Sequence, residues 1–142
     1  IFLLDKKNRY VGAKIRTGSF TSTDMELQSV EMDGNLTQTP EFPYNWMYDG
    51  SRPQMPGFEM EITCKSLFLI FKDSGEMDVG KANVFVNDVY CMTADPHKNN
   101  WLHCNAVLLF WETESRSHKV RITVTEEDRN KKFTILGFGY TI

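Results

Sequence analysis

Val120, Ile122 and Val124 alternate with Lys119, Arg121, Thr123 and Thr125, the period-two signature of a strand with one buried face. Ala82, Val84 and Val86 repeat the pattern, with Asn83, Phe85 and Asn87 on the opposite side. Asn87-Asp88 follows directly and leads into another strand at 89–93, so it reads as a tight hairpin turn. The runs 66–72 and 106–111 are apolar almost throughout and too short for typical helices, which predicts central strands. Residues 58–63 and 133–138 add two more, and 11–20 and 25–32 a further pair. No long segment shows a 3.6-residue period with capping residues. Eight or more short strands joined by polar turns predict an all-β chain: an antiparallel β-sandwich, and within that class a jelly roll.

One region breaks this regularity. Residues 33–57 hold Pro40, Pro43, Pro53 and Pro56 together with Gly34, Gly50 and Gly57, a density that rules out a central strand or a regular helix. A long loop inside a compact domain is often functional. This one places Phe42, Tyr44, Trp46 and Tyr48 at every second position, on one side of an extended segment. A second polar loop, 95–103, carries Asn99-Asn100-Trp101.

With 142 residues the chain has the size of one domain with a single core. A formal net charge of −3 gives no electrostatic reason to expect nucleic acid or an anionic membrane as a partner. The longest apolar runs fall far short of the roughly 20 residues a membrane-spanning helix needs. A start without Met reads as a domain, 1–142, excised from a longer protein. Three cysteines, Cys64, Cys91 and Cys104, cannot all pair within the chain, so buried free thiols are expected.

The stretch from about Gly57 to Tyr140 resembles the accessory jelly-roll module found C-terminal to SGNH/GDSL-type esterases of fibre-degrading gut bacteria. More broadly it is similar to galactose-binding-like carbohydrate-binding modules. The matching residues begin with Ser66-Leu67-Phe68-Leu69-Ile70-Phe71-Lys72 and Gly80-Lys81-Ala82-Asn83-Val84-Phe85-Val86. They continue with Asn99-Asn100-Trp101, Val107-Leu108-Leu109-Phe110 and His118-Lys119-Val120-Arg121-Ile122. Phe133-Thr134-Ile135-Leu136-Gly137-Phe138-Gly139-Tyr140 closes the series and is its most distinctive part. Two departures stand out. The family usually has Asp-Gly where this chain has Asn87-Asp88, and Trp101 is followed here by Leu102-His103-Cys104. The resemblance implies a secreted β-sandwich attached to an enzyme that acts on plant cell walls.

Sugar binding needs flat aromatic surfaces for the C–H face of a pyranose and polar side chains for its hydroxyl rim. Trp46, Tyr48 and Trp101, with Tyr44 beside them, are candidate surfaces. Asn99, Asn100, Arg52, Asp49 and His97, with Asn45, are candidate hydrogen-bonding partners. The alternative role for Trp46 and Trp101 is to pin long loops to the sandwich. Trp111 ends an apolar strand and is expected to pack in the core or at a sheet edge.

Catalytic signatures are lacking. Neither G-x-S-x-G nor Gly-Asp-Ser occurs, and no Asp-x-x-His stands near the C-terminus. Acidic residues such as Glu112, Glu114, Glu126, Glu127 and Asp128 read as solvated rather than as a catalytic pair. Cys91, His97, His103 and Cys104 are wrongly spaced for zinc. No cofactor is expected; jelly-roll modules often hold a structural calcium, but no loop here specifies its ligands.

The function expected is that of a non-catalytic carbohydrate-binding module. It would hold an attached enzyme on plant polysaccharide such as β-glucan, xyloglucan or another hemicellulose. The alternative is a structural module that packs against a neighbouring esterase or glycoside hydrolase domain.

Overall fold

The computed structural model describes residues 1–21, 30–32, 35–37, 42–51, 57–98 and 104–142. Their strands, in chain order, are β1 (Phe2–Leu4), β2 (Ala13–Arg16), β3 (Val30–Met32), β4 (Asn35–Thr37) and β5 (Trp46–Tyr48). They continue with β6 (Phe58–Lys72), β7 (Ala82–Val86), β8 (Val89–Ala94), β9 (Cys104–Val124) and β10 (Phe133–Thr141). One 3₁₀ turn, Glu126–Asp128, is the only helical element among the described residues.

β6 and β9 organise the main sheet, while β3 and β4 pair only with each other. They run antiparallel along each other, and the hydrogen-bonded order is β1-β10-β6-β9-β7-β8, with β2 also on β6 and β5 also on β10. A flat sheet of this connectivity would leave Phe58 far from Phe138, which lies beside Leu69. Eleven residues of strand span about 36 Å. Yet the Phe58 and Phe138 rings stack at 5.6 Å. The two halves of β6 must therefore face each other, and the chain is a two-layer jelly-roll sandwich. One layer holds β2, the first half of β6, the second half of β9, β7 and β8. The other holds β1, β5, β10, the second half of β6 and the first half of β9.

The fold-over is written into the register. Cys64 pairs with Arg116 but Ser66 pairs with Trp111, so four residues of β9, Glu112 to Ser115, stand opposite the single Lys65. Such bulges bend and twist a strand. They also shift its phase. Phe58, Met60, Ile62 and Cys64 are buried before the bulge, and Leu67, Leu69 and Phe71 after it. The core lies between the layers and is rich in rings: Phe20, Trp46, Tyr48, Phe58, Phe133 and Phe138.

Several sequence expectations change here. Segments 58–63 and 66–72 are one strand, because a bulge rather than a turn joins them. The runs at 106–111 and 119–124 are likewise one strand, β9. Only Ala13–Arg16 of the 11–20 segment is a strand. Segment 106–111 is apolar but not central: Ala106, Leu108 and Trp111 are exposed, because β7 pairs only with the later part of β9. Of the cysteines only Cys64 is fully buried; Cys91 is exposed and Cys104 half-buried.

Candidate functional site

Trp46 and Tyr48 are not surface platforms. Both lie in β5, which pairs with β10 through Trp46–Ile135 and Tyr48–Phe133 and so directs its alternate side chains into the core. Trp46 is 3% exposed, with ring centroids 5.2 Å from Phe58 and 6.2 Å from Phe138. Tyr48 is 2% exposed, and its hydroxyl donates to the Arg129 carbonyl. Burial pushes that hydroxyl above its ordinary pKa of 10.0; Asp49 adds to the rise and Arg129 opposes it. The every-second-residue spacing does mark a common side for Trp46 and Tyr48, and that side is the interior, whereas Tyr44 of the same series is exposed.

The remaining candidates separate. Tyr44 is exposed, with Lys7 Nζ 5.1 Å from its ring centre, and Asn45 is buried, donating to the Phe42 carbonyl at 3.3 Å. Asp49 accepts from the Ser51 amide at 2.9 Å and its hydroxyl at 2.6 Å, closing a turn in which Gly50 takes a φ of 82°. His97 Nε2 donates to the Val79 carbonyl at 2.6 Å, which ties two loops together. Arg52, Asn99, Asn100 and Trp101 lie outside the described residues.

A different constellation comes together on the solvent side of the first layer. Cross-strand neighbours share a face. The register makes one row of Arg16 (β2), Glu59 (β6), Arg121 (β9), Phe85 (β7) and Tyr90 (β8). Arg16 pairs with Glu59 at 3.4 Å. The Arg121 guanidinium sits over the Phe85 ring at 4.1 Å, and Phe85 meets Tyr90 edge-on at 6.1 Å. A second row, Lys14, Glu61 and Lys119, runs beside it. With Asp88, the side chains of both rows other than Tyr90 line an open trough of about 630 Å³. Tyr90, 56% exposed, continues the row beyond Phe85. The clue in the sequence was Phe85, a large aromatic on the polar face of its strand between Asn83 and Asn87.

The hairpin beside the trough is held by a small network. Asn87 and Asp88 both have positive φ, 51° and 64°, as a two-residue turn of type I′ requires. Asn87 Oδ1 accepts from the Lys119 amide at 2.9 Å, so its nitrogen faces His118 Nδ1, also at 2.9 Å. Nδ1 must therefore accept, and the proton on Nε2 is donated to Glu112. Glu112 is thus half-buried, tied to His118 rather than fully solvated.

The second layer presents the opposite character. Its row Leu3–Gly139–Phe68–Leu108 is apolar from end to end. Trp111, at the end of the same run of β9, is 80% exposed and points away from the core. A core or edge-packing role for Trp111 is therefore incorrect.

Among the described residues no nucleophile is seen paired with a base. The Cys64 thiol, near His118 and Glu112 in the register, is fully buried, and burial, reinforced by the Glu112 charge, pushes its pKa up to about 11. It stays protonated and unreactive at neutral pH. Among the described residues no group of three or more His, Cys, Asp or Glu could hold a metal ion. No helix is long and apolar enough to cross a membrane.

No protein-family model and no curated protein matches the chain. Solved structures do share its fold. A two-domain esterase active on acetylated mannans matches with a TM-score of 0.62 at 13% identity, over 98% of this chain and 35% of the esterase. Co-crystallized with mannopentaose, the same kind of esterase gives 0.63 at 13% identity, over 99% and 36%. An acetyl xylan esterase from the rumen bacterium Butyrivibrio proteoclasticus gives 0.54 at 14% identity, over 98% and 32%. The chain thus spans about a third of each, and an all-β fold of this kind recurs as part of larger esterases.

Proposed function

We propose that this chain is a non-catalytic carbohydrate-binding module that holds an attached hydrolase on plant polysaccharide outside the cell. The observation that carries the reading is the row across five strands, Arg16–Glu59–Arg121–Phe85–Tyr90, whose first four members line an open trough. A trough can follow a chain molecule. The exposed Tyr90 ring beside the trough suits the C–H face of a pyranose, and the charged groups of the trough suit hydroxyls. That structures of the same fold belong to esterases acting on acetylated mannans and xylan supports a hemicellulose as ligand. Tethering raises the effective concentration of the enzyme at an insoluble substrate. No cofactor and no calcium ligands are assigned.

Affinity electrophoresis through gels containing xyloglucan, mixed-linkage β-glucan, xylan, mannan or pectin tests this. Retardation by at least one of them, reduced in Tyr90→Ala with the melting temperature kept, is the expected result. Unretarded migration through all five removes the reading. Trp101→Ala in the same gels examines the polar loop at 95–103.

A second reading has its own observation. The exposed apolar face of Trp111 and Leu108 suits packing against a neighbouring catalytic domain. It predicts that Trp111→Ala lowers the thermal stability of the joined enzyme while leaving polysaccharide retardation unchanged.

A further inference from the structure

The trough carries four cations, Lys14, Arg16, Lys119 and Arg121, against three carboxylates, Glu59, Glu61 and Asp88. This local excess of positive charge stands out in a chain whose formal net charge is −3. Two ion pairs leave Lys14 and Arg121 over. Arg16 holds Glu59 at 3.4 Å and Lys119 holds Asp88 at 3.9 Å, while Lys14 lies directly across from Glu61. Arg121 has Glu59 as its neighbour on β6, but Arg16 has already engaged it. Among the described residues no carboxylate lies within ion-pairing distance of Arg121. Its guanidinium is nevertheless held in place, stacked 4.1 Å from the Phe85 ring centre.

A stacked guanidinium keeps its N–H donors at the edge of the plane, in a fork that matches the two oxygens of a carboxylate. Stacking has also ordered the side chain in advance, so little rotamer entropy remains to be lost on binding. Phe85 gives one ring face to Arg121. Tyr90, next along the row, is the exposed ring left for a sugar. We infer that the trough recognises a saccharide bearing a carboxylate, with Arg121 taking the acid group and Tyr90 the pyranose face. This rests on the carbohydrate reading above and narrows it to acidic chains.

Homogalacturonan and its methyl ester differ only at the acid group, a carboxylate in one and its methyl ester in the other, so the pair tests the contact assigned to Arg121. In affinity electrophoresis at low salt the wild-type domain should bind the free acid about tenfold more tightly than the ester, as for one charge-assisted contact at an open site. Arg121→Gln should erase that preference with the melting temperature kept, and Arg121→Lys should restore part of it. Added salt should weaken binding of the acid and leave the ester unaffected. Equal binding of acid and ester, or a preference that survives Arg121→Gln, overturns the inference while the carbohydrate reading stands. Equal retention by polyaspartate overturns it too, because charge alone would then be recognised. Failure to bind either galacturonan with retention on a neutral glucan or mannan also overturns it, and failure on every polysaccharide removes the underlying reading as well.

Discussion

Trp46 and Trp111 exchange the places their local sequences suggest. Trp46 stands in a proline-rich, polar stretch and is 3% exposed; Trp111 ends an unbroken apolar run and is 80% exposed. Segment 42–48 is captured by β10, whose unpaired edge turns three residues of an irregular stretch into β5 and commits Trp46 and Tyr48 to the interior. The 106–111 run belongs to a layer with no further strand beyond it among the described residues, so alternate side chains have nothing to pack on. Composition around a ring therefore says little about which way it faces. The strand that pairs beside it says nearly everything.

The sharpest way to break the comparison is to remove the buried ring. Trp46→Ala should cost about 3–5 kcal/mol and lower the melting temperature by about 10–15 °C, read by thermal denaturation. A variant that kept its melting point but lost polysaccharide retardation would return Trp46 to the surface. Tyr48→Phe is milder, at about 1–2 kcal/mol, because it leaves the Arg129 carbonyl without its donor.

The same tyrosine gives a pH test. Its folded pKa is raised above 10.0, so its contribution is complete below pH 10.0 and is lost as pH rises through the folded value. Urea midpoints should fall less steeply on the alkaline side in Tyr48→Phe than in the wild type. Tyr140, also raised by burial and then by Tyr10, keeps that limb from vanishing.

Asp128 supplies the acid limb. Burial alone would raise its carboxyl, but the Lys81 amide at 2.9 Å and the Lys131 charge outweigh it and hold the pKa below 3.8. Its stabilisation is complete above pH 3.8 and is lost as pH falls through the lower folded value. Asp128→Asn should flatten the stability profile on that side. The smallest effect belongs to the exposed ring: Trp111→Ala should change the stability of the isolated domain by no more than about 0.5 kcal/mol. A larger loss would mean that Trp111 packs on something after all.

Much of the fold could be read beforehand. Period-two alternation located β7 and the end of β9, and Asn87-Asp88 marked the hairpin, because these signals arise within a few neighbouring residues. Strand boundaries at 64–66 and 111–116 could not be read, since a bulge leaves no local mark and exists only relative to the partner strand. The candidate site fared less well. Trp46 and Tyr48 carried the right spacing and the wrong side. The row through Arg121 gathers residues from five strands whose register no linear pattern encodes.

Local chemistry alone settled that this chain would be strands rather than helices, where its tight turn would fall, and that it carries no familiar catalytic motif. Which ring faces water, which arginine lacks a carboxylate, and which residues line a common trough were decided by tertiary pairing. Alternation specifies that a strand has two sides, but only the neighbouring strands and the opposing layer determine which side is covered.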